Sequence, residues 1–251
     1  SPLTVLRGGD AYLKPFDWDL TGSGDDMRYC DRSYVPSAGS VVIPLKTLFR
    51  VPRADDGTPC RCDGRITLRE AVDYMAMYGS ESGDPVTFAD EIDTIDIGSP
   101  IGRTDTVNHE VRIDGFSGRS VEKAAVRIVS SGGCDGFVFG GSNDVSFADL
   151  AFSGFAGGGD GHALVLDPIR RASVLNCSFT TCGSSLAPAV AANVVEGGRL
   201  ELSRCSVVRG GQFLAADGEG AVAVLSTTFS GNCRFAMKAG DSLCVLKSDF
   251  V

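Results

Sequence analysis

Asp149-Leu150-Ala151-Phe152-Ser153-Gly154 is the first of five related phrases in the second half of this chain. The others are Asn176-Cys177-Ser178-Phe179, Arg204-Cys205-Ser206-Val207, Ser226-Thr227-Thr228-Phe229-Ser230-Gly231 and Lys247-Ser248-Asp249-Phe250. Their aligned apolar positions, Phe152, Phe179, Val207, Phe229 and Phe250, are 27, 28, 22 and 21 residues apart. One strand-sized unit cannot bury its own apolar face, so copies at this interval are expected to stack. The repeat predicts an all-β chain folded as a parallel β-helix, a solenoid.

The rest of the region from residue 86 supports that reading. Val86-Thr87-Phe88, Thr94-Ile95-Asp96-Ile97, Glu110-Val111-Arg112-Ile113-Asp114 and Ala125-Val126-Arg127-Ile128-Val129 come first. Ile95, Ile97, Val111 and Ile113 fall on one face and Asp96, Arg112 and Asp114 on the other, so each strand has one buried side. Gly136–Phe139, Val145–Phe147, Ala163–Leu166, Ala189–Ala192, Leu200–Leu202, Ala221–Val224 and Ser242–Val245 continue the pattern, with Gly or Asp in nearly every gap. An antiparallel sandwich is the alternative. It calls for Asn-Gly hairpins, and that dipeptide is missing. At the usual strand spacing, about six or seven coils would make a rod of about 30 Å.

One helix is expected, at about residues 67–78. Thr67 and Glu70 form a capping box, and Leu68, Ala71, Val72, Met75 and Ala76 share a face. Lying just upstream of the strands, it should lid the open end of the apolar core, with Arg69 folding over the first coil. Residues 1–47 lack the later rhythm and read as an irregular N-terminal extension, with Val41–Leu45 as a short strand. Residues 48–251 form the repeat domain, beginning with a strand at Leu48–Val51. The last phrase stops in mid-pattern at Val251, and the chain is expected to continue beyond it, because a solenoid needs a terminal cap.

The chain has 251 residues, 32 glycines, one tryptophan and a net charge of −9. Basic residues are scattered, which argues against nucleic acid or an anionic membrane as partner. No segment has the length of a membrane span. No cofactor is expected. Ca²⁺ is the one ion an acidic surface would take, but the acids are not grouped in an oxygen-rich loop.

The nine cysteines are Cys30, Cys60, Cys62, Cys134, Cys177, Cys182, Cys205, Cys233 and Cys244. In a secreted chain, Cys30 with Cys60 or Cys62, and Cys182 with Cys205 or Cys233, are candidate disulfides. Cys177 and Cys205 hold equivalent repeat positions and read as small apolar residues stacked in the core. Cys60-Arg61-Cys62 has the wrong spacing for a zinc knuckle, and only His109 and His162 could join it.

Ala54-Asp55-Asp56-Gly57, Cys60-Arg61-Cys62-Asp63 and Thr67-Leu68-Arg69-Glu70-Ala71-Val72, followed by Asp93-Thr94-Ile95, Ile113-Asp114-Gly115 and Leu150-Ala151-Phe152-Ser153-Gly154, occur in the order of a known signature. The stretch resembles bacterial surface β-helix proteins, among them the polymorphic outer-membrane and autotransporter-like proteins and, more distantly, the pectate-lyase-like superfamily. Phe229-Ser230-Gly231-Asn232 resembles the Phe-x-x-Asn element of the polymorphic outer-membrane family, whereas Gly218-Glu219-Gly220-Ala221-Val222 only approximates its companion Gly-Gly-Ala-Ile. The resemblance implies a secreted or cell-surface, right-handed parallel β-helix with a helical N-terminal cap.

Function is less determined. A glycosidase needs two carboxylates flanking one glycosidic bond. Asp144, Asp149, Asp160, Asp167 and Glu201 are available, but the Asp-Asp pairs, Asp25-Asp26 and Asp55-Asp56, lie in loops outside the repeats. A lyase needs a base and carboxylates for Ca²⁺, for which Arg170, Arg171 and Arg204 with Asp160 and Asp167 are the raw material. His162 follows a glycine-rich loop, and Arg170-Arg171 reads as an exposed turn after Pro168. No nucleophile elbow or phosphate loop is present; Gly157-Gly158-Gly159 lacks the Lys-Ser/Thr. The favoured reading is a monomeric, non-catalytic adhesin or stalk, extracellular or on the cell surface. It would bind glycans or host proteins through Asp160, His162, Asp167, Arg170 and Arg171. A polysaccharide lyase or glycosidase and a structural spacer are the alternatives.

Overall fold

The computed structural model describes residues 50–51, 67–78, 85–107, 109–116, 119–155, 161–185, 187–231 and 242–250. The N-terminal extension with its Val41–Leu45 strand, the loop at residues 54–59, Cys30, Cys60, Cys62, Asp160 and Cys233 lie outside these residues. The strands are β1 (Arg50–Val51), β2 (Thr87–Phe88), β3 (Thr94–Asp96), β4 (Val111–Asp114), β5 (Val126–Val129) and β6 (Phe137–Phe139). They continue as β7 (Asn143–Ala148), β8 (Leu150–Ser153), β9 (Leu164–Leu175), β10 (Ser178–Thr180), β11 (Val190–Ser203) and β12 (Ser206–Val208). The last are β13 (Leu214–Gly218), β14 (Ala221–Leu225), β15 (Thr228–Ser230), β16 (Ser242–Leu246) and β17 (Asp249–Phe250). The helix, α1, spans Leu68–Tyr78.

The fold is all-β with parallel sheets. A seven-stranded sheet runs β17-β15-β12-β10-β8-β5-β3, and an eight-stranded path runs β16-β14-β11-β9-β7-β4, where β11 and β9 also pair β13 and β6. From β7 onward successive strands alternate between the two sheets, except that β13 and β14 both lie on β11 in the eight-stranded one. Every strand pairing among the described residues is parallel, which rules out the sandwich.

Register places the repeated apolar residues on one another. Ile95, Ile128, Phe152, Phe179, Val207, Phe229 and Phe250 are successive partners down the seven-stranded sheet. The first six are buried. Phe152 and Phe179 stack with ring centroids 4.9 Å apart and planes 11° apart, a distance set by the strand spacing. At the next rung Val207 is too small to continue the stack. Phe213, from outside the repeated phrase, meets Phe179 at 5.2 Å and Phe229 at 5.5 Å, edge-on to both. It is fully buried and fills the space beside the valine.

Each phrase begins at the same corner. Asp149, Asn176, Arg204, Ser226 and Lys247 all have φ between 50° and 54°. At four of the five the following residue ties the corner down by bonding the carbonyl two residues back: Cys177 Sγ to Leu175 O at 3.4 Å, Cys205 Sγ to Ser203 O at 3.5 Å, Thr227 Oγ1 to Leu225 O at 3.1 Å and Ser248 Oγ to Leu246 O at 3.3 Å. Cys177 and Cys205 are thus buried in the apolar core as expected, and their thiols are in addition weak donors at the place that Thr227 and Ser248 hold in later rungs. The second corner follows the strand and is left-handed at Gly154, Thr181, Arg209 and Gly231. Glycine there explains the Phe-Ser-Gly ending of two phrases.

Two expectations need correction. Cys182 and Cys205 are free thiols, so neither disulfide proposed for Cys182 is present. Cys182 follows β10 and Cys205 precedes the adjacent, in-register β12, so they stand at opposite ends of neighbouring strands, beyond disulfide reach. Arg170 and Arg171 are not in a turn. They belong to β9, which absorbs Ala163–Leu166 and continues through Pro168, while β11 likewise absorbs Leu200–Leu202.

The capping box is present. Thr67 N–H donates to Glu70 Oε2 at 2.7 Å and Glu70 N–H to Thr67 Oγ1 at 3.3 Å. Leu68, Ala71, Val72, Met75 and Ala76 are all buried. The helix meets the sheet end through Met75, whose Sδ accepts the Arg112 N–H of terminal strand β4 at 3.2 Å. Arg69 reaches over to the carbonyls of Pro100 and Ser99, at 2.7 and 2.8 Å.

The wedge at Val207 yields a counter-intuitive test. Val207→Phe restores the repeat's commonest residue, yet Phe213 already occupies the space. We expect a loss of about 1–3 kcal/mol from overpacking, against about 3–5 kcal/mol for the cavity left by Phe179→Ala, both read from urea unfolding. A neutral or stabilising Val207→Phe would contradict the packing described.

Candidate functional site

The pairing of the longest strands, β9 and β11, shifts register between Ala192 and Val194 and between Val194 and Arg199, and β7 on β9 shifts between Asn143 and Asp144. Their N-terminal halves pair with β6 and β13 and their C-terminal halves with β7 and β14. The outer side of this irregular stretch brings together Asp144, Asp167, Arg170 and Arg171 of the sequence-predicted residues.

Arg170 lies on it, exposed, and grips Asp144 of β7 with both forks: Nε to Oδ1 at 2.8 Å and Nη2 to Oδ2 at 2.7 Å. The Asp144 hydrogen bond, and then its charge, raise the pKa of Arg170. Asp167, at the cis Asp167–Pro168 peptide, accepts from Asn193 Nδ2 of β11 at 2.9 Å. On β11, Arg199 pairs with Glu201 at 2.7 Å. Arg171 sits in register between Asp144 and Arg199, exposed and without an ion pair among the described residues. Asn193 and Arg199 carried no motif in the sequence; only the register of β11 on β9 brings them in.

His162 does not join this group. It precedes β9, five residues and about 16 Å of strand rise from Asp167. It ties neighbouring turns together: its N–H donates to Asp135 Oδ1 at 2.8 Å, its carbonyl accepts from Gly136 N–H at 2.8 Å, and Nδ1 bonds Pro188 O at 2.5 Å. The carbonyl can only accept, so Nδ1 carries the proton. Arg204, paired with Asp167 in the lyase reading, holds a left-handed corner beyond the far end of β11.

Four of the five carboxylates weighed for hydrolysis are engaged; Asp160 lies outside the described residues. Asp144 chelates Arg170, Asp149 accepts from Asn176, Asp167 accepts from Asn193 and Glu201 pairs with Arg199. A glycosidic general acid is held protonated by apolar surroundings. These groups instead face guanidinium and amide donors. The cluster thus sets paired donors and acceptors across neighbouring strands, with Arg171 outside the ion pairs formed among the described residues. Among the described residues no three His, Cys, Asp or Glu converge as a metal site, and no helix is long and apolar enough to cross a membrane.

The buried thiols provide a separate electrostatic test. Burial pushes Cys182 and Cys205 up to about 11 from 9.0. Burial, and then neighbouring Cys205, raises Cys177 well above that ordinary value. The fold favours their protonated forms, so this contribution to stability is complete below about pH 9 and is lost as pH rises toward 11. Urea unfolding at pH 8 and pH 10.5 should show the decline. Iodoacetamide at pH 8 should label exposed Cys244 while sparing Cys177, Cys182 and Cys205; equal labelling of all four would refute their burial.

Comparison with protein-family models, curated proteins and solved structures returned no match.

Proposed function

We propose that this chain is a right-handed parallel β-helix, closed at its N-terminal end by α1. We further propose that it serves as a non-catalytic, secreted or cell-surface adhesin or stalk that binds glycans or host proteins. The fold reading is supported by purely parallel ladders with one buried and one solvated face. Open parallel sheets normally need helices over both faces. Here the two ladders turn their apolar sides to a common core, which a coiled chain provides.

The functional reading is carried by the outer bend of β9 and β11. Its acids are each matched to a cation or amide, an arrangement that orients donors and acceptors for sugar hydroxyls or polar protein groups. Stacked rungs support such work because backbone pairing holds the rod while outward side chains are free to differ. The remote likeness of the N-terminal motifs to bacterial surface proteins points the same way.

A glycan array and a polysaccharide-degradation screen, run in parallel on this chain, test the reading. We expect retention of at least one glycan without release of reducing or unsaturated sugar. Arg171→Ala should weaken that binding by about tenfold, the loss of one charged hydrogen-bonding group. Sugar release would favour the lyase or glycosidase reading, and a silent array with no captured host protein would favour the spacer.

A further inference from the structure

Register stacks two buried thiols directly. Cys177 and Cys205 immediately precede Ser178 and Ser206, which are partners in the β10–β12 ladder. The ladder runs unbroken through the corner, with Asn176 N–H donating to Ser203 O and Ser206 N–H to Cys177 O. The two sulfurs hold equivalent places. Cys177 Sγ bonds Phe147 O at 3.8 Å and Leu175 O at 3.4 Å, and Cys205 Sγ bonds Val174 O at 3.4 Å and Ser203 O at 3.5 Å. Phe147 with Val174, and Leu175 with Ser203, are themselves register partners. One sulfur therefore lies about one strand spacing, ~4.8 Å, from the other. That gap is more than twice an S–S bond of ~2.05 Å, and the Cβ atoms, displaced in parallel, lie beyond the ~3.8 Å usual in a disulfide. It is close to twice a metal–thiolate bond of ~2.3 Å.

We propose that Cys177 and Cys205 form a two-coordinate site for a soft, thiophilic cation, best matched by the mercuric ion, which would bridge neighbouring rungs along the direction of strand stacking. The coordination number follows from the neighbours. The next places in the column are Leu150 on one side and Thr227 on the other, both buried. Thr227 Oγ1 is already engaged, donating to Leu225 O and accepting the Cys205 N–H. Among the described residues no third His, Cys, Asp or Glu completes a set. Zinc, which takes four ligands in a tetrahedron, is thus poorly served, whereas thiolates select soft ions. The charge follows from burial. Cys177 and Cys205 are 1% and 2% exposed, and a net charge there is costly. A divalent ion with two thiolates is neutral; a monovalent ion would leave one negative charge in the core. Binding forms two Hg–S bonds, breaks two S–H bonds and releases two protons to solvent. The exposed Asn176 and Arg204 stand directly before the thiols, so opening this corner is a short route to them. The site is independent of the ligand proposed above.

Iodoacetamide first blocks the reachable thiols of the folded chain. Mercuric chloride is then added to the folded protein and, separately, during refolding from urea. By at least one route, one ion per chain should survive desalting against a monothiol competitor. X-ray absorption should show two sulfurs at a single distance of about 2.3 Å. Two protons should be released per ion in weakly buffered solution, and loading should raise the melting temperature. Cys177→Ser and Cys205→Ser should each weaken retention at least about a hundredfold, while Cys182→Ser leaves it unchanged. Thr227 and Ser248 hold the same corner place with a hydroxyl, so the fold should accept serine there, which far-UV circular dichroism would verify. If a variant does not fold, the absorption spectrum and proton count of the unsubstituted chain decide. No ion retained by either route overturns the proposal. So does an ion held by other than two sulfurs, retention that survives either substitution, or zinc retained as strongly.

Discussion

Parallel, in-register pairing between equivalent segments is the constraint on which the rest of the molecule depends. Each rung passes its amide protons to the carbonyls of the next, even at the corners: Asp149 N–H reaches Leu175 O, Asn176 N–H reaches Ser203 O, and Arg204 N–H reaches Leu225 O. That pairing fixes a separation within the centroid distances of offset-stacked aromatic rings, so Phe152 and Phe179 stack face to face. Side chains need only match their neighbour one rung away. The chain tolerates spacings as different as 21 and 28 residues because extra length is absorbed both between the strands and in register irregularities within β11.

The same constraint organises the surface. Residues 26 apart, such as Asp144 and Arg170 or Asp167 and Asn193, become neighbours because their strands are neighbours. Polar bonds therefore run across the rungs. The bend in β9 and β11 concentrates them, since register shifts there turn several consecutive residues outward. A site built this way resembles a ladder of paired groups more than a cleft with one reacting centre.

Much of the fold was legible in the residues. Thr67 and Glu70 declared the helix start, and Leu68, Ala71, Val72, Met75 and Ala76 its buried face. Ile95, Asp96 and Ile97 declared the inward and outward sides of a strand. Other features were hidden because they depend on partners distant in sequence. Pro168 reads as a turn residue, yet β9 continues through it while paired with β7 and β11. Phe213 has no place in the repeat and is needed only because Val207 is smaller than its neighbours in the column. Cys177 and Cys205 look apolar by position; their bonds to corner carbonyls emerge once the corner exists.

Sequence alone determined the periodic unit, the face each strand would bury and the capped helix, because these follow from local spacing of apolar and hydrogen-bonding residues. Tertiary structure decided which residues became neighbours. It assigned Phe213 to the space beside Val207, kept Cys182 and Cys205 apart as thiols, and set Arg170 on Asp144. The physical reason is that register joins segments more than twenty residues apart, and no pattern within one segment carries information about the size or charge of what will lie against it.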